Sequence, residues 1–188
     1  YLLPVYMQVG LHLSASHVGT ILLPAGIVLA ATIAWVGRLA DRQPTWMLVS
    51  TGLALLAISF ALMMVLRLDS AIWWLVLFAA IGRVGLGFIL PSLNLGSMRP
   101  LAKALIPQGS SAISFVRMLG GAAGVSLCAI VLEWRLAAHG DSLANPVSSA
   151  ARLAAFDEVF ALLAGLCAVA ILAAWQLREG PVPREKAL

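Results

Sequence analysis

The chain has 188 residues, of which 62% are hydrophobic and only 11% are charged, and its formal net charge is +4. A water-soluble domain is nearer to half apolar and a quarter charged, so this composition excludes an ordinary soluble fold and predicts an all-α membrane protein. The basic residues are scattered between apolar segments and do not cluster with aromatic residues, which favours a lipid bilayer over nucleic acid as the partner.

The apolar segments, taken in chain order, predict one partial and five complete spans. Residues 1–9 are too few to cross a bilayer, and the polar stretch GLHLSAS follows them. The chain starts at Tyr1 without a signal peptide, so we expect a fragment of a longer protein whose first span is cut. Five further segments reach the required length of about 20 apolar residues: 18–40, 45–66, 71–97, 106–132 and 153–177. Residues 133–152 read as the one long loop and 178–188 as a polar tail.

Lysine and arginine positions predict the orientation of these spans. One set of span ends carries seven basic residues: Arg38, Arg42, Arg99, Lys103, Arg178, Arg184 and Lys186. The opposite set carries three: Arg67, Arg135 and Arg152. The positive-inside rule therefore places the loop at 38–42 and the C-terminal tail in the cytoplasm of a bacterial-type inner membrane. All six tryptophans lie near predicted span ends, where aromatic belts form: Trp35, Trp46, Trp73, Trp74, Trp134 and Trp175.

Two arginines fall inside predicted spans. Arg83 and Arg117 lie ~18 Å and ~17 Å past the starts of their segments, near the midplane. No acidic residue is predicted at that depth, and a charge there usually faces protein or a water-filled cavity. We interpret both arginines, together with Asn94, as candidates for a translocation pathway or for energy coupling. The alternative is that the arginines bond to helix carbonyls at a helix–helix contact.

Glycines near both arginines indicate close helix packing. Arg117 shares one helix face with Gly121, Gly124 and Cys128. The stretch GRVGLG around Arg83 has the spacing GxxGxG, not GxGxxG, and no strand precedes it, so a dinucleotide loop is rejected. Pro91, which follows this stretch in the same predicted span, is expected to break the helix. The predicted packing residues are Gly85, Gly87, Pro91, Gly120, Gly121 and Gly124.

Catalytic and metal-binding patterns are absent from the sequence. His12 and His17 are poorly spaced as metal ligands, and no Ser-His-Asp set, HExxH motif or carboxylate pair is readable. We therefore predict no catalytic residue, no metal and no enzyme activity. A membrane-embedded transferase is a remote alternative, for which Asp157, Glu158 and His139 are the only candidates.

The stretch GRLADR, from Gly37 to Arg42, resembles the loop motif G-x-L-A-D-R/K-x-G-R-R/K of the major facilitator superfamily. The stretches YLLPVYMQ, GLGFILP and QGSSAISFVRMLGGAAGVSL are similar to the EmrB/QacA type within it, which are fourteen-helix drug:proton antiporters. The resemblance covers nearly the whole chain, and Arg117 matches the arginine of the family's helix. The second, basic half of the loop motif is lost, since Gln43 and Pro44 follow Arg42. The gating residues implied by the motif are Gly37, Arg38, Asp41 and Arg42.

The resemblance implies the C-terminal six-helix bundle of a transporter, with the missing N-terminal helices of the same protein as its partner. It implies proton-coupled export of small molecules by alternating access, driven by the proton gradient without a cofactor. The family's better-known coupling carboxylates lie in the N-terminal half, and Arg83 and Arg117 would act on them by charge. An alternative is an exporter of one metabolite, such as an amino acid, organic acid or siderophore, because two midplane arginines suit an anionic solute.

Overall fold

A computed structural model describes residues 2–10, 13–40, 42–66, 72–98, 101–142 and 150–175. These ranges contain helices and turns but no strand. The elements are α1 (Leu2–Val5) and a π-helical segment (Tyr6–Gly10), then α2 (Ala15–Leu39), α3 (Thr45–Met63), α4 (Ile72–Met98), a 3-10 turn (Lys103–Leu105), α5 (Ile106–Ala138) and α6 (Ala150–Trp175). Helices α2 to α6 are each long and apolar enough to cross a membrane, which confirms the predicted all-α membrane fold.

Local sequence signals set several helix boundaries. Ser14 caps α2, because its hydroxyl oxygen accepts a hydrogen bond from the backbone N–H of His17 at 3.4 Å. Pro107 occupies the first turn of α5, where a missing N–H costs nothing. Pro91 lies inside α4, and the helix continues through it to Met98. The expectation that Pro91 breaks this helix is therefore wrong, since a proline inside a membrane helix removes one backbone hydrogen bond without ending the helix.

Glycines hold α3 and α2 close to α4, the helix at the centre of the bundle. Helix α4 packs extensively against α3 and α2, while α3 also packs against α6. A Cβ atom added to Gly85 of α4 would lie 2.6 Å from the carbonyl oxygen of Gly52 in α3. One added to Gly87 would lie 2.6 Å from Cγ2 of Thr32 in α2. Both helix contacts therefore depend on the missing side chain, as is common where membrane helices pack closely.

Aromatic rings join the first segment of the chain to α3 and α6. The ring of Tyr6 meets Phe156 edge-on at a centroid distance of 5.3 Å and Phe160 at 5.9 Å. Phe60 of α3 stacks on Phe160 at 6.3 Å. Tyr6, Phe156 and Phe160 are all buried. Offset and edge-on ring contacts of this kind add to the packing of the side chains, so this cluster fixes α6 against the bundle.

Helix α5 differs from the others in its exposure and in its length. Phe115, Val116 and Met118 are 67%, 66% and 75% exposed, so this part of α5 presents large apolar side chains outward. The helix also continues to Ala138, six residues beyond the predicted span end at 132. The loop predicted for 133–152 is correspondingly shorter.

Candidate functional site

An open cavity of about 400 Å³ lies between α1, α3, α4, α5 and α6. Small-molecule sites typically have volumes in this range and are lined mostly by apolar side chains. The wall follows this pattern, since its apolar members are Leu3, Pro4, Leu56, Phe60, Met63, Ala79, Leu86, Val125, Phe160 and Leu163.

Arg83 of α4 brings a positive charge to the wall of this cavity. Ala79, Gly82 and Leu86 line the cavity from the same face of α4, so the helical repeat directs Arg83 inward. The side chain is half-buried. Among the residues that the structure describes, no carboxylate lies within 4 Å of its guanidinium. The cavity therefore contains an arginine whose charge is not neutralised by these helices.

The glycine face of α5 lines the same cavity. Gly121, Gly124 and Cys128 are all part of the wall, as their shared helix face predicts, and so is Gly120. A Cβ atom added to any of these three glycines would meet nothing within 4 Å. The expectation that Gly120, Gly121 and Gly124 allow close helix packing is thus not met within the described ranges. Here their missing side chains leave the cavity open.

Arg117 and Asn94 lie outside the cavity wall. Arg117 is exposed and lies ~6 Å beyond Gly121 along α5, a rise of four residues. It therefore continues the glycine face past the end of the cavity. Asn94 is half-buried in the last turns of α4, away from the lining residues. The structure thus brings one of the two in-span arginines, Arg83, together with the α5 glycines.

The loop motif lies at the end of α2. Arg38 and Arg42 are exposed. A Cβ atom added to Gly37 would meet nothing within 4 Å, so no other helix among the described residues packs closely on this glycine. Asp41 lies outside the described residues, and its gating role stays a prediction.

A charged cluster that the sequence did not predict joins the end of α5 to α6. Arg135 donates hydrogen bonds from Nε and Nη2 to both carboxylate oxygens of Glu158. Nε2 of His139 lies 3.4 Å from the same carboxylate. Glu158 and His139 therefore do come together, as the transferase alternative requires, but Arg135 already occupies both oxygens of the acid.

A second ion pair joins the connection between α5 and α6 to the first turn of α6. Nη2 of Arg152 lies 3.2 Å from Oδ1 of Asp141 and donates to the carbonyl oxygen of Ser142 at 2.8 Å. The backbone N–H of Ser142 donates to the same Asp141 oxygen at 2.7 Å. The available signal was the presence of opposite charges on two consecutive spans and their loop, because Arg135 and Arg152 can pair with acids there as well as set the orientation.

Comparison with known proteins gives consistent matches over most of the chain. The sequence profile of the Major Facilitator Superfamily matches residues 1–125. A Bacillus subtilis (strain 168) protein named uncharacterized MFS-type transporter YcnB is 25% identical over 185 residues, which are 98% of this chain and 38% of that protein. The multidrug transporter protein MdtP of the same strain is 30% identical over 132 residues, 70% of this chain and 24% of that protein. The multidrug resistance protein B homolog of Mycobacterium tuberculosis (strain CDC 1551 / Oshkosh) is 27% identical over 165 residues, 83% of this chain and 30% of that protein. The chain thus spans between 24% and 38% of the length of these relatives.

Proposed function

Because the chain belongs to the Major Facilitator Superfamily, we propose that it forms the C-terminal bundle of a proton-coupled multidrug exporter of the EmrB/QacA type. The observation that carries the proposal is the open cavity of about 400 Å³ in a bundle of five membrane-spanning helices. Its largely apolar wall suits lipophilic compounds, which bind by burying apolar surface and need few directional contacts.

Alternating access gives roles to the surfaces of this bundle. A transporter of this kind rocks two bundles about a central site. The exposed apolar face of α5, around Phe115 and Met118, suits contact with the N-terminal helices of the whole protein. Arg38 and Arg42 keep their loop in the cytoplasm by charge, and Asp41 acts there as a latch between bundles. The proton gradient supplies the energy, through carboxylates of the N-terminal half.

A second candidate is an exporter of one anionic metabolite. Arg83 favours it, because a half-buried guanidinium without a carboxylate partner in these helices attracts negative charge. An amino acid, an organic acid or a siderophore would each carry a carboxylate or a comparable acidic group. The two candidates differ in substrate range and share one mechanism.

The enzyme alternative is not retained. The superfamily is one of transporters, and the relatives are named as transporters and resistance proteins. This agrees with the expectation that the chain is not an enzyme. The Glu158–Arg135 pair then has a structural role between α5 and α6.

Growth and efflux of an efflux-deficient bacterial strain test the proposed function. The whole protein is expressed against an empty-vector control, and cells are challenged with dyes, drugs and organic acids. Gradient-dependent efflux of several lipophilic dyes or drugs, abolished by an uncoupler, is the expected result. Rescue limited to one organic acid would favour the metabolite exporter. Growth and efflux equal to the vector control for every compound would contradict both candidates.

A further inference from the structure

Few polar side chains line the cavity. Its lining side chains with polar atoms are Ser59, Arg83 and Cys128. Ser59 already donates its proton to the carbonyl oxygen of Phe78 at 2.7 Å, and a cysteine thiol is a weak donor. Arg83 therefore dominates, with five N–H donors and a permanent positive charge.

No acidic side chain within the described ranges balances this charge from the cavity wall. Helix α6 carries Asp157 and Glu158 just before the lining residue Phe160, but neither lines the cavity. The Glu158 carboxylate is held by Arg135. A lipophilic cation in the cavity would therefore face an uncompensated guanidinium at close range, whereas an anion would neutralise it.

The remaining wall suits the apolar body of a ligand. The rings of Phe60 and Phe160, which stack on each other, are part of the wall. The α5 glycines are part of it too, with nothing within 4 Å of a Cβ atom added to Gly121 or Gly124. Aromatic rings and open glycine backbone are surfaces on which a flat ring system packs well.

We propose that this cavity binds amphiphilic organic anions, each a small carboxylate or sulfonate with an aromatic or aliphatic body, and that Arg83 binds the acidic head group. The inference rests on the proposed transport function and names the substrate class of the same site. It also differs from that function in a measurable way, because ligand binding requires neither a proton gradient nor a working transport cycle.

A matched pair of fluorescent probes tests the head-group preference. The probes are 1-anilinonaphthalene-8-sulfonate and N-phenyl-1-naphthylamine, which share the arylaminonaphthalene body and differ by the sulfonate. Binding to the whole protein is measured in an uncharged detergent. We expect Arg83→Gln to weaken sulfonate binding by about tenfold, as loss of a charge-assisted hydrogen bond does, and to change binding of the neutral probe by less than about twofold.

Three further variants distinguish the effect of the Arg83 charge from the effect of cavity shape and from the effect of positive charge elsewhere on the protein. Arg83→Lys keeps the charge and is expected to retain most of the sulfonate affinity. Gly124→Leu fills the cavity and is expected to weaken both probes. Arg117→Gln removes the other in-span arginine, which lies outside the cavity wall, and is expected to leave both affinities unchanged. For every variant except Gly124→Leu, retained binding of the neutral probe shows that the variant is folded.

Unchanged sulfonate binding in Arg83→Gln would overturn the inference, since Arg83 would then be paired with a carboxylate elsewhere in the protein or would not reach the ligand. An equal loss for both probes would overturn it too. If the whole protein exports no compound above the vector control but its sulfonate binding still depends on Arg83, the result counts against the proposed transport function alone. If cations are exported normally but Arg83→Gln leaves sulfonate binding unchanged, the result counts against the anion site alone.

Discussion

Arg152 and Asp141 form an ion pair at 3.2 Å with only 1% and 6% of their side chains exposed. Asp141 lies in the connection between α5 and α6, three residues past Ala138, and Arg152 lies in the first turn of α6. One contact therefore joins this connection to the start of α6. Two charges held out of water depend on each other, because each supplies a counter-charge to the other where water does not screen it.

We therefore expect Arg152→Met to destabilise the protein severely, by about 3–5 kcal/mol, because the buried Asp141 carboxylate loses the guanidinium that lies 3.2 Å from it. The measurement is thermal unfolding of the whole protein in detergent. A double variant, Arg152→Met with Asp141→Leu, removes both charges and should recover much of the loss. A single variant as stable as the double variant would show that the pair is not buried in the whole protein.

The Arg135–Glu158 pair should matter less, because about a third of each side chain is exposed, 33% and 37%. Exposed ion pairs contribute little, since water screens both charges. We expect Glu158→Gln to lower the unfolding temperature by a small fraction of the change caused by Arg152→Met. Equal losses in the two variants, measured side by side, would contradict this ranking of the two pairs by burial.

The contact between Gly85 and Gly52 predicts a strong effect of a single methyl group. Gly85→Ala places a Cβ atom 2.6 Å from the Gly52 carbonyl oxygen, so α3 and α4 must move apart. Overpacking of this kind costs about 1–3 kcal/mol, which thermal unfolding in detergent would detect. Gly26→Ala is the matched control, since a Cβ atom there meets nothing within 4 Å. Equal stability of the two variants would show that the helices do not cross at Gly85.

Cysteine labelling tests the proposed orientation. Gln43 follows α2, Ser142 follows α5, and both side chains are exposed. In a version of the whole protein without its native cysteines, Ser142→Cys should react with a membrane-impermeant maleimide in intact cells. Gln43→Cys should react only after permeabilisation, because the basic ends of the spans stay inside. Labelling of Gln43→Cys in intact cells, with Ser142→Cys labelled only after permeabilisation, would show that the protein has the opposite orientation.

Arg117 predicts an effect on transport that is separate from ligand binding. Because it lies outside the cavity and is exposed on α5, it is placed to act on carboxylates of the other half by charge. We expect Arg117→Ala to lower transport, or to shift its pH optimum, at normal expression of the whole protein. Transport like that of the wild type at every pH would leave Arg117 without a coupling role.

The spans were predictable because a bilayer requires long apolar helices whatever their partners are. The end of α5 was not, because Glu133 and Arg135 look like loop residues in an apolar chain. Both are good helix formers, and Arg135 has a partner on α6 that spacing alone does not reveal. The error of six residues therefore came from reading charge as the end of a helix.

The sequence could predict which residues of the candidate site share a face of one helix, but not which helices contribute to the site together. The helical repeat placed Gly121, Gly124 and Cys128 on one face, and all three line the cavity. The same repeat placed Arg117 there, but the depth of a residue along a helix decides whether it reaches a cavity. That Arg83 of α4 lines the same cavity as the α5 glycines depends on which helices are neighbours, and apolar sequences carry little information about this.

Phe60 of α3 stacks on Phe160 of α6, and two complete helices, α4 and α5, separate them in the sequence. During synthesis, α3 and α4 follow one another into the bilayer and can pair at once, whereas Phe60 of α3 meets its partner on α6 only after α4 and α5 have been made. A chain truncated before α6 would therefore leave Phe60 without the ring that stacks on it.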